Sequence, residues 1–474
     1  MPTRTDRLLL ANAIMGQFIA GIAARMFAVS LPTIASALHA DILSVSWALI
    51  AYQLAGICLS VVFGRLGDIH GRYAIYGTGF VVMTLSSALC GLAPSVGWLI
   101  VFRLVQGVGA AMIASATRVL AMEAMPEGAE GRANGFMTMS FHGGLLFGPP
   151  LGGLVIDWLS WRWIFFLLVP IGVAGTVLTA LRARGRRSVR VESPPAVDYV
   201  GAVLLVILTV VLTLMVDRRT AVALGARQAG IVVVVFVVGL AGFLVHERRT
   251  VNPVVNLGLF RIRMFVFSVL SLLVFATTSS ILHFLLPFYI QDVLHRSPSF
   301  MGLIFLSAPV LTMSLAFVAG QLTDRVGPRL PATIGLSIVM VSFAIGMGLR
   351  VDSHWMLPAL LLACTGVGQG FFNTPNQTAI IGSVPREYRG FATGLVQMMF
   401  GLGSLLGISL GGVLLTQFFR HYSGLPDATP SAADPVPFVS AMSAIYGVCF
   451  VLMGAALVVS LMRGGRRVEA AALE

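Results

Sequence analysis

The chain has 474 residues, 57% of them hydrophobic and only 11% charged, with a mean hydropathy of +0.92, which excludes an ordinary soluble enzyme. Lipid offers backbone polar groups no partner but one another, and the alternating pattern of a membrane barrel is missing, so an all-α membrane protein is expected. The formal charge of +12 is all arginine, there being no lysine, and it stands at the ends of apolar stretches; that placement marks a cytoplasmic side and argues against nucleic acid as a partner.

A bilayer core needs about 20 apolar residues per helix, and on that scale spans are predicted near 8–36, 46–64, 74–93, 98–122, 133–156 and 162–182. The first resembles a secretory signal, with Arg4 and Arg7 before Leu8. It is too long for a signal core, however, and lacks a cleavage site. Residues 1–182 therefore read as an N-terminal six-helix bundle. A linker over 183–198 follows, with Arg184, Arg186, Arg187 and Arg190 and then Pro194 and Pro195, polar and unable to continue a helix. Two inserted spans, 199–216 and 226–246, fill 199–248. The C-terminal bundle, 249–474, has spans near 264–290, 300–322, 331–349, 355–382, 391–419 and 438–462. This arrangement gives fourteen spans and puts Arg65, Arg72, Arg248, Arg249, Arg325, Arg329, Arg386, Arg389 and Arg463 on one side, with both termini cytoplasmic. The four cysteines, Cys58, Cys90, Cys364 and Cys449, fall inside spans without metal-ligand spacing and read as buried thiols.

The two halves repeat. Gly107 and Gly109 recur as Gly366 and Gly368, Pro126 as Pro385, and Gly144, Gly148, Gly152 and Gly153 as Gly403, Gly407, Gly411 and Gly412, each 259 residues later (366 − 107). Gly64, Leu66 and Asp68 recur as Gly320, Leu322 and Asp324, 256 residues on (324 − 68), and Leu31-Pro32 as Leu286-Pro287. Duplicated six-helix halves suit a transporter that rocks one half against the other around a midplane site.

Three segments carry motifs. Gly64 to Arg72 joins spans 2 and 3, with Gly64 and Gly71 for a tight turn and close approach, and Asp68 and Arg72 for charge-assisted bonds. Span 4 holds Arg103, Gln106, Gly107 and Gly109; arginine at bilayer depth costs roughly 2.5–3.5 kcal/mol on insertion scales, so it needs a partner or a wet cavity. Span 5 holds Gly144, Gly148, Pro149 and Gly152, small residues for close packing and a proline that frees a carbonyl.

These segments resemble the signature loop, buried-arginine motif and antiporter motif of the major facilitator superfamily. Trp161 to Phe165 with Pro170 and Gly172, Asp198 with Gly201, and Asn252 to Phe265 are similar to its fourteen-span drug:proton antiporter branch. The resemblance implies a major facilitator fold of two six-helix bundles plus two extra helices. It also implies that Gly64, Asp68, Gly71, Arg72 and Asp324 act as a cytoplasmic gate, and that Gly148, Pro149 and Gly152 seal one side of the pathway.

The chain departs from that branch in its charges. The branch usually carries an aspartate in span 1, where this chain has Ala23, with Arg25 two residues on. Gln17, Gly21 and Arg25 form one helical stripe, expected to face a central cavity with Arg103 and Gln106 on span 4 and Gln369, Asn373 and Asn376 on span 12. Helix-to-helix bonding by the same polar groups is the alternative. No span has a carboxylate near its centre, so a cationic substrate is disfavoured, and His142 and His283 are the candidates for proton coupling.

The expected function is proton-coupled export of a small amphipathic neutral or anionic compound, multidrug-efflux-like, by a monomer in the bacterial inner membrane. Proton-linked uptake of an organic anion is the alternative. An enzyme or sensor is remote, because neither clustered acid/base or metal spacing nor a nucleotide loop appears, and no cofactor is expected.

Overall fold

The apolar stretches are α-helices in a computed structural model that describes residues 6–40, 42–185, 198–216, 226–250, 253–296, 298–425 and 435–463. In chain order they are α1 (Arg7–Ala37), α2 (Ile42–His70), α3 (Arg72–Gly91), α4 (Val96–Glu123), α5 (Glu130–Trp158), α6 (Leu168–Gly185) and α7 (Tyr199–Val216). Then come α8 (Ala226–Arg249), α9 (Arg263–Phe288), α10 (Pro298–Val326), α11 (Arg329–Met347), α12 (Met356–Gly382), α13 (Arg389–Ser423) and α14 (Pro435–Leu461). A single turn, Trp163–Phe166, precedes α6, and the described residues include no strand. A helix thus stands at each of the fourteen predicted positions. Twelve of them are long and apolar enough to cross a membrane, while the described apolar stretches of α1 and α7 are shorter, Arg7–Ala23 and Tyr199–Leu212. Most of the predicted linker lies outside the described residues.

Glycine decides where helices cross. A Cβ on Gly21 or Gly144 would run into the backbone of the other helix, so α1 and α5 touch main chain to main chain. In the second half Gly403 and Gly407 do the same for α13 against α9, meeting Ala276, Leu273 and Thr277. Gly107 lets α4 lie on Tyr52 of α2, and its mate Gly366 lets α12 lie on Ala308 of α10. The sequence repeat is therefore a repeat of helix crossings. The short α2–α3 and α10–α11 turns also match, each taking a left-handed glycine, Gly71 at φ 100° and Gly327 at φ 82°.

The halves meet through α2 against α13 and α5 against α10. The inserted pair is peripheral: α7 packs on α2 and α13, whereas α8 packs on α7 and exposes Val234, Val235, Val237 and Val238. A valine-rich exposed surface is stable in lipid. Trp98, Trp158 and Trp163 are exposed at one set of helix ends, and most of the described arginines stand at the other, the pattern of a membrane-spanning protein with an aromatic belt.

Candidate functional site

At the arginine-rich ends the two halves are joined by a pair of related contacts. The first turn of a helix has N–H groups with no partner within the helix, and the helix dipole adds partial positive charge there. Asp68, at the end of α2, meets this need on α13. Its Oδ1 accepts from the Gly390 N–H at 3.0 Å and its Oδ2 from the Phe391 N–H at 2.9 Å. Arg72 donates to the same carboxylate through Nη2 at 2.8 Å and Nε at 3.2 Å, with the Asp68 side chain 1% exposed. Arg72 also bonds Glu123 through Nη1 at 2.7 Å and the Arg386 carbonyl across the seam.

The second half returns the contact. Asp324, at the end of α10, accepts from the Gly131 N–H at 2.7 Å and the Arg132 N–H at 3.2 Å in the first turn of α5, and from Arg132 Nε at 3.0 Å. Gly131 and Arg132 are the repeat mates of Gly390 and Phe391. The cations differ: Pro328 stands at the mate position of Arg72, so Asp324 takes its cation from the helix it caps. Both contacts need bare backbone. A Cβ on Gly64 would strike the Gly390 carbonyl, and one on Gly320 the Gly131 carbonyl. Deeper along the seam, Ser60 Oγ donates to the Gly394 carbonyl at 3.0 Å and Asn134 Nδ2 to Thr378 Oγ1 at 3.1 Å. Gly64, Asp68, Arg72 and Asp324 are thus brought together at the seam, with Gly71 forming the turn between α2 and α3. The receiving glycines, Gly131 and Gly390, were not singled out from the sequence, although the repeat relates them.

The polar residues expected around a central cavity are mostly buried among the helices. Arg103 is 1% exposed inside the first half, its guanidinium 4.2 Å from the Tyr52 ring centre and 4.3 Å from that of Phe27. It donates to the Ala48 carbonyl at 3.3 Å and to Gln106 Oε1 at 2.7 Å, and Gln106 in turn donates to Ser87 Oγ at 2.7 Å. The bonds to Ala48 and Ser87 tie α4 to α2 and α3, while the Arg103–Gln106 bond lies within α4. The aromatic faces and carbonyls of neighbouring helices offset part of the cost of burial, Nη2 being left without a hydrogen-bond partner. Asn376 is likewise fully buried and donates to the Ser268 carbonyl of α9 at 3.1 Å, and Gln369 accepts from Thr312 Oγ1 of α10 at 3.5 Å. Asn373 is buried, 6% exposed. On the stripe through Gln17 and Gly21, Gly21 lies against α5 and Gln17 is 3% exposed. The side chains of Arg25 and Pro149 lie outside the described residues.

Gly144 and Gly152 pack α5 onto α1, with Gly152 against Met26, and Gly148 is buried on the same helix. His142 is half-buried on α5, its ring edge-on to Phe141. His283 is half-buried on α9, with Nδ1 2.7 Å from the Ser279 carbonyl and the ring edge-on to Phe305. The bond to the carbonyl makes Nδ1 the donor. Among the described residues no group of His, Cys, Asp and Glu is arranged to hold a metal ion.

Known proteins share this arrangement. The family model of the Major Facilitator Superfamily matches residues 13–246 and 267–471. The chain is 31% identical over 426 residues to the uncharacterized transporter YebQ of Escherichia coli (strain K12), covering 88% of this chain and 90% of that protein. It is 28% identical over 395 residues to the putative multidrug resistance protein MdtD of Serratia proteamaculans (strain 568), covering 83% and 81%. The crystal structure of the human organic anion transporter MFSD10 (TETRAN) superposes with a TM-score of 0.65 at 13% identity, over 96% of this chain and 100% of that one, a likeness of fold. Duplicated halves, glycine crossings and matched family model agree: the chain belongs to the Major Facilitator Superfamily and is a multi-pass membrane transporter.

Proposed function

We propose that the protein is a proton-coupled exporter of small amphipathic compounds, neutral or anionic, acting as a monomer in the bacterial inner membrane. In this reading the chain divides as 1–182, 183–198, 199–248 and 249–474 and spans fourteen times, with the arginine-rich face and both termini in the cytoplasm. The observation that carries it is the pair of carboxylate contacts to helix N-termini, Asp68 on α13 and Asp324 on α5. Alternating access needs a closure that forms and breaks as a unit, and charge-assisted bonds to helix ends supply one that is strong when dry and replaceable by water when open. The described carboxylates sit at helix ends, Asp68, Glu123, Glu130, Glu247 and Asp324 among them, which leaves a buried cation without a natural partner. His142 and His283 are the proposed proton carriers, and relatives named as putative multidrug resistance proteins support export.

The test follows the loss of ethidium, carboxyfluorescein and Nile red from loaded cells with and without the protein. Faster loss of at least one dye, abolished by a protonophore, is expected. Equal loss of all three overturns the export reading, and faster entry of carboxyfluorescein would favour anion uptake instead.

A further inference from the structure

Arg118 lies on α4, five residues before the helix ends at Glu123 (123 − 118), or about 7 Å from the arginine-rich end at 1.5 Å per residue. Unlike the seam arginines, it has no carboxylate acting on it among the described residues. Its side chain is 5% exposed, and Nη1 is buried without a hydrogen-bond acceptor. Arg103, on the same helix, has two aromatic faces, a carbonyl and an amide around it and only Nη2 without a hydrogen-bond partner. Arg118 has no comparable set. A buried cation without a partner is costly, so a protein that keeps one gains something from it in another state.

The repeat mate of Arg118 is Gln377 on α12 (377 − 118 = 259), which is also buried, with Oε1 lacking a donor. On the same stretch of α12, Asn373 Oδ1, Thr374 Oγ1 and Asn376 Oδ1 are buried without hydrogen bonds. Corresponding levels of the two halves therefore hold a donor without an acceptor and a row of acceptors without donors. α4 contacts α13, and α12 contacts α5, the two helices whose N-termini the seam carboxylates cap. Parting of the seam would change the packing around both α4 and α12.

We infer that Arg118 is the anion-recognition residue of the transport site. It pairs with the carboxylate or sulfonate of an amphipathic substrate entering from the arginine-rich face, while the α12 oxygens accept from the hydroxyl or amide groups of the same molecule. This rests on the export reading above and adds the substrate class and its receiving residue. Closing the seam over an empty site buries an unpaired guanidinium, whereas closing it over an anion buries an ion pair, so loading favours closure.

The experiment uses the three dyes with wild type, Arg118→Gln and Arg118→Lys. Glutamine is what the mate position holds, and it removes a desolvated charge, so the packing accepts it. Carboxyfluorescein export should fall roughly tenfold or more in Arg118→Gln, as expected when one partner of a buried charge pair is removed, and recover in part in Arg118→Lys. Export of Nile red should be kept or rise, because closing over a neutral molecule no longer buries an unpaired guanidinium. Fluorescence polarisation with purified wild type separates an organic anion from an inorganic one: carboxyfluorescein binding should persist in excess chloride and phosphate. Full carboxyfluorescein export by Arg118→Gln overturns the assignment, as does displacement by chloride or phosphate alone. Wild type that exports Nile red or ethidium but not carboxyfluorescein also overturns it and leaves the export reading intact. Export of none of the three removes both.

Discussion

Asp68 holds the seam more firmly than Asp324, because its carboxylate is 1% exposed and gathers two backbone N–H groups and the Nε and Nη2 of a guanidinium, while Arg132, the cation on Asp324, is 42% exposed. A hydrogen bond to a charged group contributes about 1.5–3 kcal/mol, or roughly ten- to hundredfold in the population of the closed state. Asp68→Asn keeps the size and removes the charge. Transport is expected to fall with expression unchanged, and Asp324→Asn to fall less; normal transport by Asp68→Asn would leave the loop as an ordinary turn. Arg103 invites a separate measurement, thermal unfolding in detergent. Lysine lacks the planar face that lies between Tyr52 and Phe27, so Arg103→Lys should lose stability on the order of 2 kcal/mol, and an unchanged unfolding temperature would contradict the stacking argument.

Helix crossings, not side-chain bonds, set the architecture of each half. A methyl on Gly144 would meet the Ile22 amide nitrogen at 2.8 Å and the Gly21 Cα at 2.9 Å, backbone that cannot move aside, whereas Gly153 has nothing within 4 Å. Gly144→Ala should therefore lower the unfolding temperature, while Gly153→Ala should leave it level or raise it slightly, helix propensity favouring alanine by about 1 kcal/mol. Equal effects of the two would mean that the crossing tolerates separation. The glycines, the helices and the repeat were legible in the sequence because each is a periodic or local signal. Which helix a face meets was not. Periodicity put Arg103 with Gln106, and Gln17 with Gly21, on common faces, but only packing shows that those faces meet Tyr52, Ser87 and α5. Asp68 was legible as a charged turn residue beside Arg72, yet its partners Gly390 and Phe391 lie more than 300 residues away, as Asp68–Gly390 at a separation of 322 illustrates. No local pattern encodes such a pairing; only the repeat hints at it.

Across the whole molecule the inserted pair decides the count of spans. A reporter fused after Gly185 should read as cytoplasmic and one fused after Val216 as external; two cytoplasmic readings would leave twelve spans, with α7 and α8 lying along the membrane. The pair touches α2 and α13, which belong to different halves, so it rests beside one of the two seams and not the other. The seams differ again where Pro328 replaces the mate of Arg72. The α2–α13 side takes its cation from the start of α3, largely dry, while the α5–α10 side depends on a half-exposed Arg132. Screening reaches the second and spares the first, the Debye length being about 10 Å at 0.1 M salt. Added salt should then loosen one edge alone, and the halves would part like a door hung along α2 and α13, with the substrate's way in beginning at the α5–α10 edge.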